Sequence, residues 1–397
     1  MLRRIDLHDW KSFHAGALEL RPLTVLVGTN ASGKSNALEG LQPLAWLATG
    51  QRLSELPHAI RTGQVRIRGS VEQLFRRGSQ ELRLGCQVAA AGEDDPELTF
   101  EVALCREPDG ALRVAKEKLS AADQSVPLYA AQSAGGSADL TVAYNNFARG
   151  GKKPQLVATS AQAVFTQLTT PARFNESHKE AQRRIPRAVE RVRSALAGVL
   201  FLDPVSARMR GWVPKVEGKK LLPDGSNVSA VLHELLSKPG GAGRRTILEF
   251  IGKLPDHDIT DLEFLETGRA EVMLKVKEVH PDTGISEEWD AGVVSDGTLR
   301  VLAIAAALLS AKPGATVVIE EVDNGVHPSR AEALLAPMLA HAEKRGLSFL
   351  DPSRLRARGV GHPPLGEMIA ALVHAHLSAG PRIVLPTRAW ERSFAGR

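Results

Sequence analysis

The sequence predicts an α/β fold in which a long insertion interrupts one domain. At residues 23–41, a short β-branched apolar run is followed by a glycine-rich turn and a segment of helical composition. At residues 299–321, an apolar helical segment precedes a second apolar strand that ends in two adjacent carboxylates. Strands that are apolar on both faces are typical of parallel sheets covered by helices. We therefore expect both segments to belong to one α/β domain.

The stretch between these two segments has a different pattern. Residues 62–120 alternate apolar and polar side chains between polar turns, which predicts a small antiparallel sheet. Residues 130–153 are rich in Gly, Ser and Ala, which favours a long loop, and residues 173–220 form a basic helical region. The predicted division is a head of residues 1–60 and 260–350, an inserted α+β lid or arm of residues 61–259, and an Arg/Pro-rich tail of residues 351–397.

The charge is unevenly distributed along the chain. The formal net charge is +5, with +7 in residues 173–220, +4 in residues 351–397 and −6 elsewhere. With 43% hydrophobic and 24% charged residues, the composition excludes disorder of the whole chain.

Neither a membrane span nor a secretory signal is expected. The longest apolar stretch, Val301–Ala311, is about half the length that a bilayer requires. Cys86 and Cys105 are too far apart in sequence for a CxxC pair and are predicted to be reduced thiols. We therefore expect a cytoplasmic protein that makes no membrane contact.

A phosphate-binding loop follows the first apolar strand. The sequence Gly28-Thr29-Asn30-Ala31-Ser32-Gly33-Lys34-Ser35 matches G-x-x-x-x-G-K-[ST] at every fixed position. The glycines allow successive N–H groups to face an anion, and Lys34 can reach the β- and γ-phosphates. Ser35 is predicted to ligate Mg²⁺. We expect the nucleotide-binding residues to be Gly28, Asn30, Ala31, Ser32, Gly33, Lys34, Ser35 and Asn36.

Glu320 and Glu321 end the second apolar strand. A carboxylate at the end of a buried strand is costly unless a cation compensates it. In a nucleotide site, Glu320 would hold Mg²⁺ directly or through water. Glu321 would act as the general base that polarises the attacking water.

The chain resembles P-loop NTPases, specifically the ABC-type ATPase heads of the RecF/SMC/OLD class, in particular the short AAA/ABC ATPases found near bacterial DNA-repair and phage-defence genes. The resemblance lies in residues 10–36, Val294–Arg300 and Val318–Pro328. It implies a mixed sheet flanked by helices, an inserted lid, binding of ATP and Mg²⁺, and a homodimer that forms on ATP binding. It also implies that Ser295, Asp296 and Gly297 are a signature motif that contacts ATP held by the other copy, and that Asp323 is the D-loop residue.

Two features depart from that family pattern. After the predicted strand Leu347–Leu350, the family carries a switch histidine, whereas this chain continues with Asp351-Pro352-Ser353-Arg354. The composition changes abruptly at Asp351, which motivates the hypothesis that the tail derives from a frameshift or truncation in the coding sequence. A Q-loop glutamine is not assigned, because Gln73 and Gln87 both lie in plausible positions.

Three functions remain open at this point. The first is an ATP-hydrolysing clamp that acts on DNA or on a partner effector in DNA repair or phage defence, with any nuclease on a separate chain. The second is a nucleotide-gated switch or regulatory subunit that hydrolyses ATP poorly, which the missing histidine favours. The ATPase subunit of a transporter is disfavoured by the long insertion. For DNA, the candidate contacts are Arg183, Arg184, Arg187 and Arg191, although such a basic run is more often a solvated helix face.

Overall fold

The structure is a computed structural model that describes residues 1–26, 33–92, 94–133, 138–237, 242–251, 258–280, 283–319, 338–343, 348–351 and 382–384. Contacts divide the chain into two compact units. The described residues of the first unit lie within Met1–Leu20 and Ala31–Val199, and those of the second lie within Arg21–Asn30 and Leu200–Leu385.

Strands and helices are named in chain order. The strands are β1 (Leu2–Trp10), β2 (Phe13–Glu19), β3 (Leu23–Leu26), β4 (Glu81–Val88), β5 (Leu98–Arg106), β6 (Leu112–Ala121), β7 (Tyr129–Ser133), β8 (Asp139–Tyr144), β9 (Gln155–Thr159), β10 (Leu200–Leu202), β11 (Val213–Pro214), β12 (Asp258–Glu266), β13 (Glu271–Val279), β14 (Ser286–Asp290), β15 (Thr316–Ile319), β16 (Ser348–Asp351) and β17 (Arg382–Val384). The α-helices are α1 (Lys34–Glu39), α2 (Leu41–Leu47), α3 (Leu56–Arg61), α4 (Lys179–Ala197), α5 (Ser206–Met209), α6 (Val228–Leu236), α7 (Ala242–Ile251) and α8 (Asp296–Ser310).

The first unit is built on an eight-stranded sheet in the order β2-β1-β4-β5-β6-β7-β8-β9. All neighbouring strands in it are antiparallel. Alternate side chains are buried, as in β6, where Leu112, Val114, Glu117 and Leu119 face the interior. Because the side-chain period of a strand is two, this alternation gives the sheet one covered face and one exposed face.

Helix α4 packs against this sheet through one apolar stripe. Its buried residues recur three or four positions apart, which is the spacing of one helix face: Ala181, Ile185, Ala188, Val189, Val192 and Leu196. A basic helix is therefore present within the predicted basic helical region of residues 173–220, but the same region also contains the strands β10 and β11. Its arginines lie between the positions of this stripe.

The predicted loop at residues 130–153 is wrong in part. Strands β7 and β8 occupy much of it, because Tyr129, Ala131, Leu140, Val142 and Tyr144 alternate with polar or small residues and are buried. The alternation uses small residues such as Ala130 and Ala143, so the local composition resembles that of a loop.

The second unit contains a five-stranded parallel sheet in the order β10-β15-β16-β3-β17. Strand β15 lies within it and all four of its residues are buried. Helix α8 is almost wholly apolar and belongs to the same hydrophobic core. The predicted strands 316–319 and 347–350 and the predicted helix at 299–309 are present, and the predicted α/β fold class is confirmed.

A smaller antiparallel sheet completes the second unit. Strand β13 pairs with β12 on one side and with β11 and β14 on the other. Helices α6 and α7 contribute Val228, Val231, Ile247 and Phe250 to the same hydrophobic core as Leu274 of β13. This sheet leads directly into α8, because β14 ends at Asp290, close to the start of that helix.

The region after Asp351 contains a strand that the sequence did not predict. Strand β17 lies in the Arg/Pro-rich tail and pairs in parallel with β3. It consists of the short apolar segment Ile383-Val384 preceded by Arg382.

The contact units do not follow the predicted domain boundaries, which remain a prediction. The N-terminal strands β1 and β2 share one sheet with the predicted insertion, because β1 pairs with β4 on one side and β2 on the other. Residues 200–259 lie in the second unit, where β10 pairs with β15. None of the described helices combines the length and the apolar character that a membrane crossing requires.

Candidate nucleotide-binding site

The second half of the predicted phosphate loop is described. Gly33 precedes α1 with φ 89° and ψ 2°, a left-handed conformation that favours glycine. No side chain caps the N-terminus of α1. A helix start of this kind can present N–H groups to a phosphate. Gly28, Asn30, Ala31 and Ser32 lie outside the described residues, so the roles given to the loop stay a prediction.

The turn between β1 and β2 contacts the helix that follows this loop. Trp10 donates from Nε1 to the carbonyl of Asn36 at 2.7 Å, and Asn36 donates from Nδ2 to Oγ of Ser12 at 3.0 Å. Lys11, the residue between them, has φ 48° and forms an ion pair with Glu39 at the end of α1. The last residue of β1 and the two residues of the turn that follows it therefore hold α1 in place.

Glu39 is the centre of a charge cluster in which Lys11 and Glu39 are buried and Arg68 is exposed. The side chains of Lys11 and Glu39 are 8% and 6% exposed, and Arg68 donates from Nε to Glu39 at 2.6 Å. The Lys11 ammonium also donates to the carbonyl of Arg68 at 2.9 Å. Sequence reasoning missed this cluster, because Lys11, Glu39 and Arg68 are distant in the chain. The only local signal is a lysine in a two-residue strand turn.

In the parallel sheet, the strands that precede two predicted motifs end at the same edge. Strand β3 runs into the phosphate loop, and β15 runs directly into Glu320 and Glu321. Strand β16 separates them, in register with both, so their carboxyl ends lie about 10 Å apart at one edge of the sheet. Glu320, Glu321 and Asp323 themselves lie outside the described residues.

The predicted signature residues form the start of α8. Ser295 is the N-cap, and its Oγ accepts a hydrogen bond from the backbone N–H of Thr298 at 3.1 Å. Among the described residues, none accepts a hydrogen bond from the N–H groups of Asp296 and Gly297. These N–H groups are the ones that a helix N-terminus directs at an anion.

The residues present fit a magnesium nucleotide only in part of the site. Ser35, the second residue of α1, is half-buried and carries a hydroxyl, a hard oxygen of the kind that Mg²⁺ prefers, so its role as a ligand stays a prediction. The second predicted ligand, Glu320, lies outside the described residues. Across the ranges that the structure describes, no cluster of three or more His, Cys, Asp or Glu residues forms an alternative metal site.

The arginines predicted to contact DNA are engaged within the first unit. Arg184 pairs with Asp123 and stacks on the Phe147 ring at 4.9 Å, and Arg187 donates to Asp95 at 2.7 Å. Arg191 is largely buried and donates to the carbonyls of Pro96 and Ala89 at 2.9 and 2.8 Å. These contacts tie α4 to the turns of the eight-stranded sheet.

The pairing between α4 and the turns of the sheet shifts the pKa values of the groups involved. The hydrogen bond from Arg187 lowers the pKa of Asp95, and burial lowers the pKa of Arg191. A pocket of about 190 Å³ lies between α4 and the turns, and it is lined by Asp94, Asp95, Asp123 and the four arginines, among others. Arg183 and Arg187 remain the more exposed members, at 64% and 53%. DNA contact by these residues stays a prediction.

The structure also places the two glutamines considered for the Q-loop and the two cysteines. Gln73, one of the two glutamines considered for the Q-loop, closes a capping box: its Oε1 accepts from the N–H of Ser70 at 3.0 Å. Gln87 lies on β4, so the structure assigns neither to a nucleotide. Cys86 and Cys105 are free thiols, as predicted, and burial raises the pKa of Cys86 to about 12.

Comparison with known proteins finds matches over part of the chain. The family model described as "AAA domain, putative AbiEii toxin, Type IV TA system" matches residues 181–350, which include the signature segment and the acidic pair. The DNA replication and repair protein RecF of Gloeobacter violaceus is 41% identical over 93 residues. That match covers 23% of this chain and 20% of the relative, so the chain spans only a fifth of the curated relative that it matches.

Solved structures give a more distant likeness. An SmcHead bound to the C-winged helix domain of ScpA is 13% identical, with a TM-score of 0.49 and coverage of 90% of each chain. The recombination mediator protein RecF-ATPrS in the RecFOR pathway is 11% identical, with a TM-score of 0.40 and coverage of 91% of this chain and 94% of the other. The family match and the RecF relative confirm the predicted resemblance to ABC-type P-loop ATPases of the RecF/SMC class.

Proposed function

We propose that this chain is a Mg²⁺-dependent ABC-type ATPase. The observation that carries the proposal is the parallel sheet, in which β3 and β15 end at the same edge with β16 between them. The chain therefore enters the phosphate loop and reaches Glu320 and Glu321 at one edge, as phosphate binding and activation of water require. Glu321 is the general base, and Ser35 and Glu320 hold Mg²⁺.

Two copies would close around ATP in this proposal. Ser295 and the N–H groups of Asp296 and Gly297 meet the γ-phosphate of ATP bound to the other copy, with Asp323 at the same contact. The support is the geometry of α8, whose capped N-terminus carries N–H groups without a recorded acceptor in the described residues. ATP thereby controls the association of the two copies.

The biological target is proposed to be DNA or a separate effector chain in DNA repair or defence, in the cytoplasm. The RecF relative is named for DNA replication and repair, and the matched family model is described by a toxin and a type IV TA system. Both names support a role on nucleic acid or in a defence system.

The test compares phosphate release and association state. Wild-type protein is expected to release phosphate from ATP in the presence of Mg²⁺, and Lys34→Ala is expected to lose nucleotide binding. Glu321→Gln is expected to bind ATP, to release phosphate at least about 100-fold more slowly and to sediment as a dimer with ATP. Wild-type release at the rate of Lys34→Ala, together with no dimer in ATP, would refute the proposal.

A second candidate is a switch that binds ATP and hydrolyses it poorly. The observation in its favour is Asp351, which ends β16 and is followed in sequence by Pro352-Ser353-Arg354 where the resembling family has a histidine. Wild type and Glu321→Gln would then release phosphate at the same near-background rate while both dimerise with ATP. The association assay therefore separates this switch from a chain that does not bind ATP.

A further inference from the structure

Arg210 joins both sides of the predicted signature serine. It follows the short helix α5, and its guanidinium donates from Nη1 to the carbonyls of Ala291 and Gly292 at 3.2 and 2.8 Å. From Nη2 it donates to Oδ1 of Asp296 at 2.6 Å. The two carbonyls precede Ser295 and the carboxylate follows it. One planar guanidinium thus fixes the approach to α8 relative to its first residue.

The remaining hydrogen bonds of the turn before α8 lie within the turn or connect it to strand β13. Asp290 accepts from the N–H of Gly292 at 2.8 Å through Oδ1, and its carbonyl accepts from the N–H of Val293 at 3.1 Å. The N–H of Ala291 donates to Leu274 of β13 at 2.8 Å. These bonds shape the turn and attach its start to the sheet. Arg210 adds the link between the turn and the N-terminus of α8.

Asp296 creates an electrostatic problem at this position. Its carboxylate is 69% exposed and stands on the first residue of α8, where a helix N-terminus attracts negative charge. A phosphate that approaches the same N–H groups would be repelled by that carboxylate, since like charges within a few ångströms disfavour each other. Arg210, whose side chain is 28% exposed, pairs with the carboxylate and offsets its charge.

We propose that Arg210 is a positioning residue for the signature segment. It holds the turn at Ala291 and Gly292 against the start of α8 and neutralises Asp296, so that the N–H groups beside Ser295 can donate to a phosphate of ATP bound to a second copy. The proposal rests on the proposed function, because it concerns the same contact between two copies.

The test measures ATP-dependent dimerisation by sedimentation in a Glu321→Gln background. Arg210→Ala is expected to weaken dimerisation by about ten-fold or more, because it removes the carboxylate pair and both carbonyl bonds. Arg210→Lys keeps the charge but not the planar fork, so an intermediate loss is expected. The double variant Arg210→Ala/Asp296→Asn is expected to regain part of the loss, because it removes the uncompensated charge.

The controls separate positioning from folding. Arg208 lies on the short helix α5 that Arg210 follows, and it pairs with Asp224. Arg208→Ala removes that ion pair and is expected to dimerise as the background protein does. Binding of a fluorescent ATP analogue to single copies of Arg210→Ala is expected to stay within about two-fold of the background, a difference of less than about 0.5 kcal/mol. Thermal unfolding of Arg210→Lys identifies any general loss of structure.

The outcomes distinguish the inference from the proposed function. If Ser295→Arg abolishes dimerisation while Arg210→Ala and Arg210→Lys dimerise as the background does, the role of Arg210 is refuted and the proposed function stands. If the background protein does not dimerise in ATP, or Ser295→Arg dimerises equally well, the role of Arg210 and the proposed contact between two copies are both refuted. An equal loss with Arg208→Ala and Arg210→Ala would show a general effect of the α5 region and would also overturn the role of Arg210.

Discussion

The buried carboxylate of Glu117 makes the stability of the first unit depend on pH. It lies on β6, and its Oε1 accepts from the Tyr129 hydroxyl and the N–H of Phe165, both at 2.6 Å. Its Oε2 accepts from the N–H of Val164 at 2.8 Å. Burial raises the pKa of Glu117 from its usual 4.5 to about 7, against these three hydrogen bonds, which lower it.

The sign and size of the effect follow from that pKa. Between pH 4.5 and 7 the folded protein binds a proton that the unfolded chain has released, so the free energy of unfolding falls as the pH rises. Each pKa unit corresponds to 1.36 kcal/mol, so the contribution of Glu117 falls by about 3 kcal/mol across this range. The loss is complete above pH 7 and absent below pH 4.5.

The perturbation that isolates this contribution is Glu117→Gln, which keeps the size of the side chain and removes its titration. Other groups titrate equally in both proteins, so the difference between their free energies of unfolding should change by about 3 kcal/mol between pH 4.5 and 7. At a single pH the amide also loses one acceptor and places a donor against an N–H group, which costs about 1–3 kcal/mol.

The assay is urea unfolding at several pH values, followed by circular dichroism. Hydrogen exchange at the N–H groups of Val164 and Phe165 reports the site directly, since both donate to Glu117. Glu101→Gln is the matched control, because Glu101 lies exposed on the neighbouring strand β5. A difference between Glu117→Gln and wild type that stays constant from pH 4.5 to 7 would refute the reasoning.

Two further predictions concern other charges of the first unit. Glu39→Ala should lower the free energy of unfolding by about 3–5 kcal/mol in urea unfolding, because it leaves the buried ammonium of Lys11 without its carboxylate. Lys11→Met/Glu39→Leu should recover part of that loss. A cost below about 1 kcal/mol for Glu39→Ala would contradict the role of the cluster. If α4 contacts DNA, Arg183→Gln/Arg187→Gln should weaken duplex binding and reduce its salt slope by up to about 2. Arg193 pairs with Glu190 of the same helix, so the control variant Arg193→Gln should change neither the affinity for duplex DNA nor its salt slope. Equal salt slopes for the two variants would count against the DNA contact.

Local periodicity predicted the elements that are apolar over their whole length. Strand β15 and helix α8 have continuous or helically spaced apolar residues, so the strand has the predicted bounds and the helix only a few residues more. Strands β7 and β8 were missed because small or polar residues, such as Ala130 and Thr141, occupy the positions between their buried side chains. Their burial depends on pairing with neighbouring strands, and that pairing is a property of the tertiary fold.

The candidate site shows the same limit. The phosphate-loop motif was found because its chemistry requires fixed residue types at fixed spacing. The partners of the arginines on α4 could not be found in this way, since Asp95 and Asp123 lie in turns far along the chain. A basic helix has the same sequence whether its guanidinium groups face solvent or neighbouring carboxylates. Arg210 gave no sequence signal for the same reason.

The order of strands in the parallel sheet has a consequence for synthesis on the ribosome. Strand β3 pairs with β16 and β17, which are translated long after it, so this sheet cannot close until both of those strands have left the exit tunnel. All eight strands of the antiparallel sheet are translated by Thr159. We expect the nascent chain to acquire its antiparallel sheet before its parallel sheet, because pairings between distant segments form slowly.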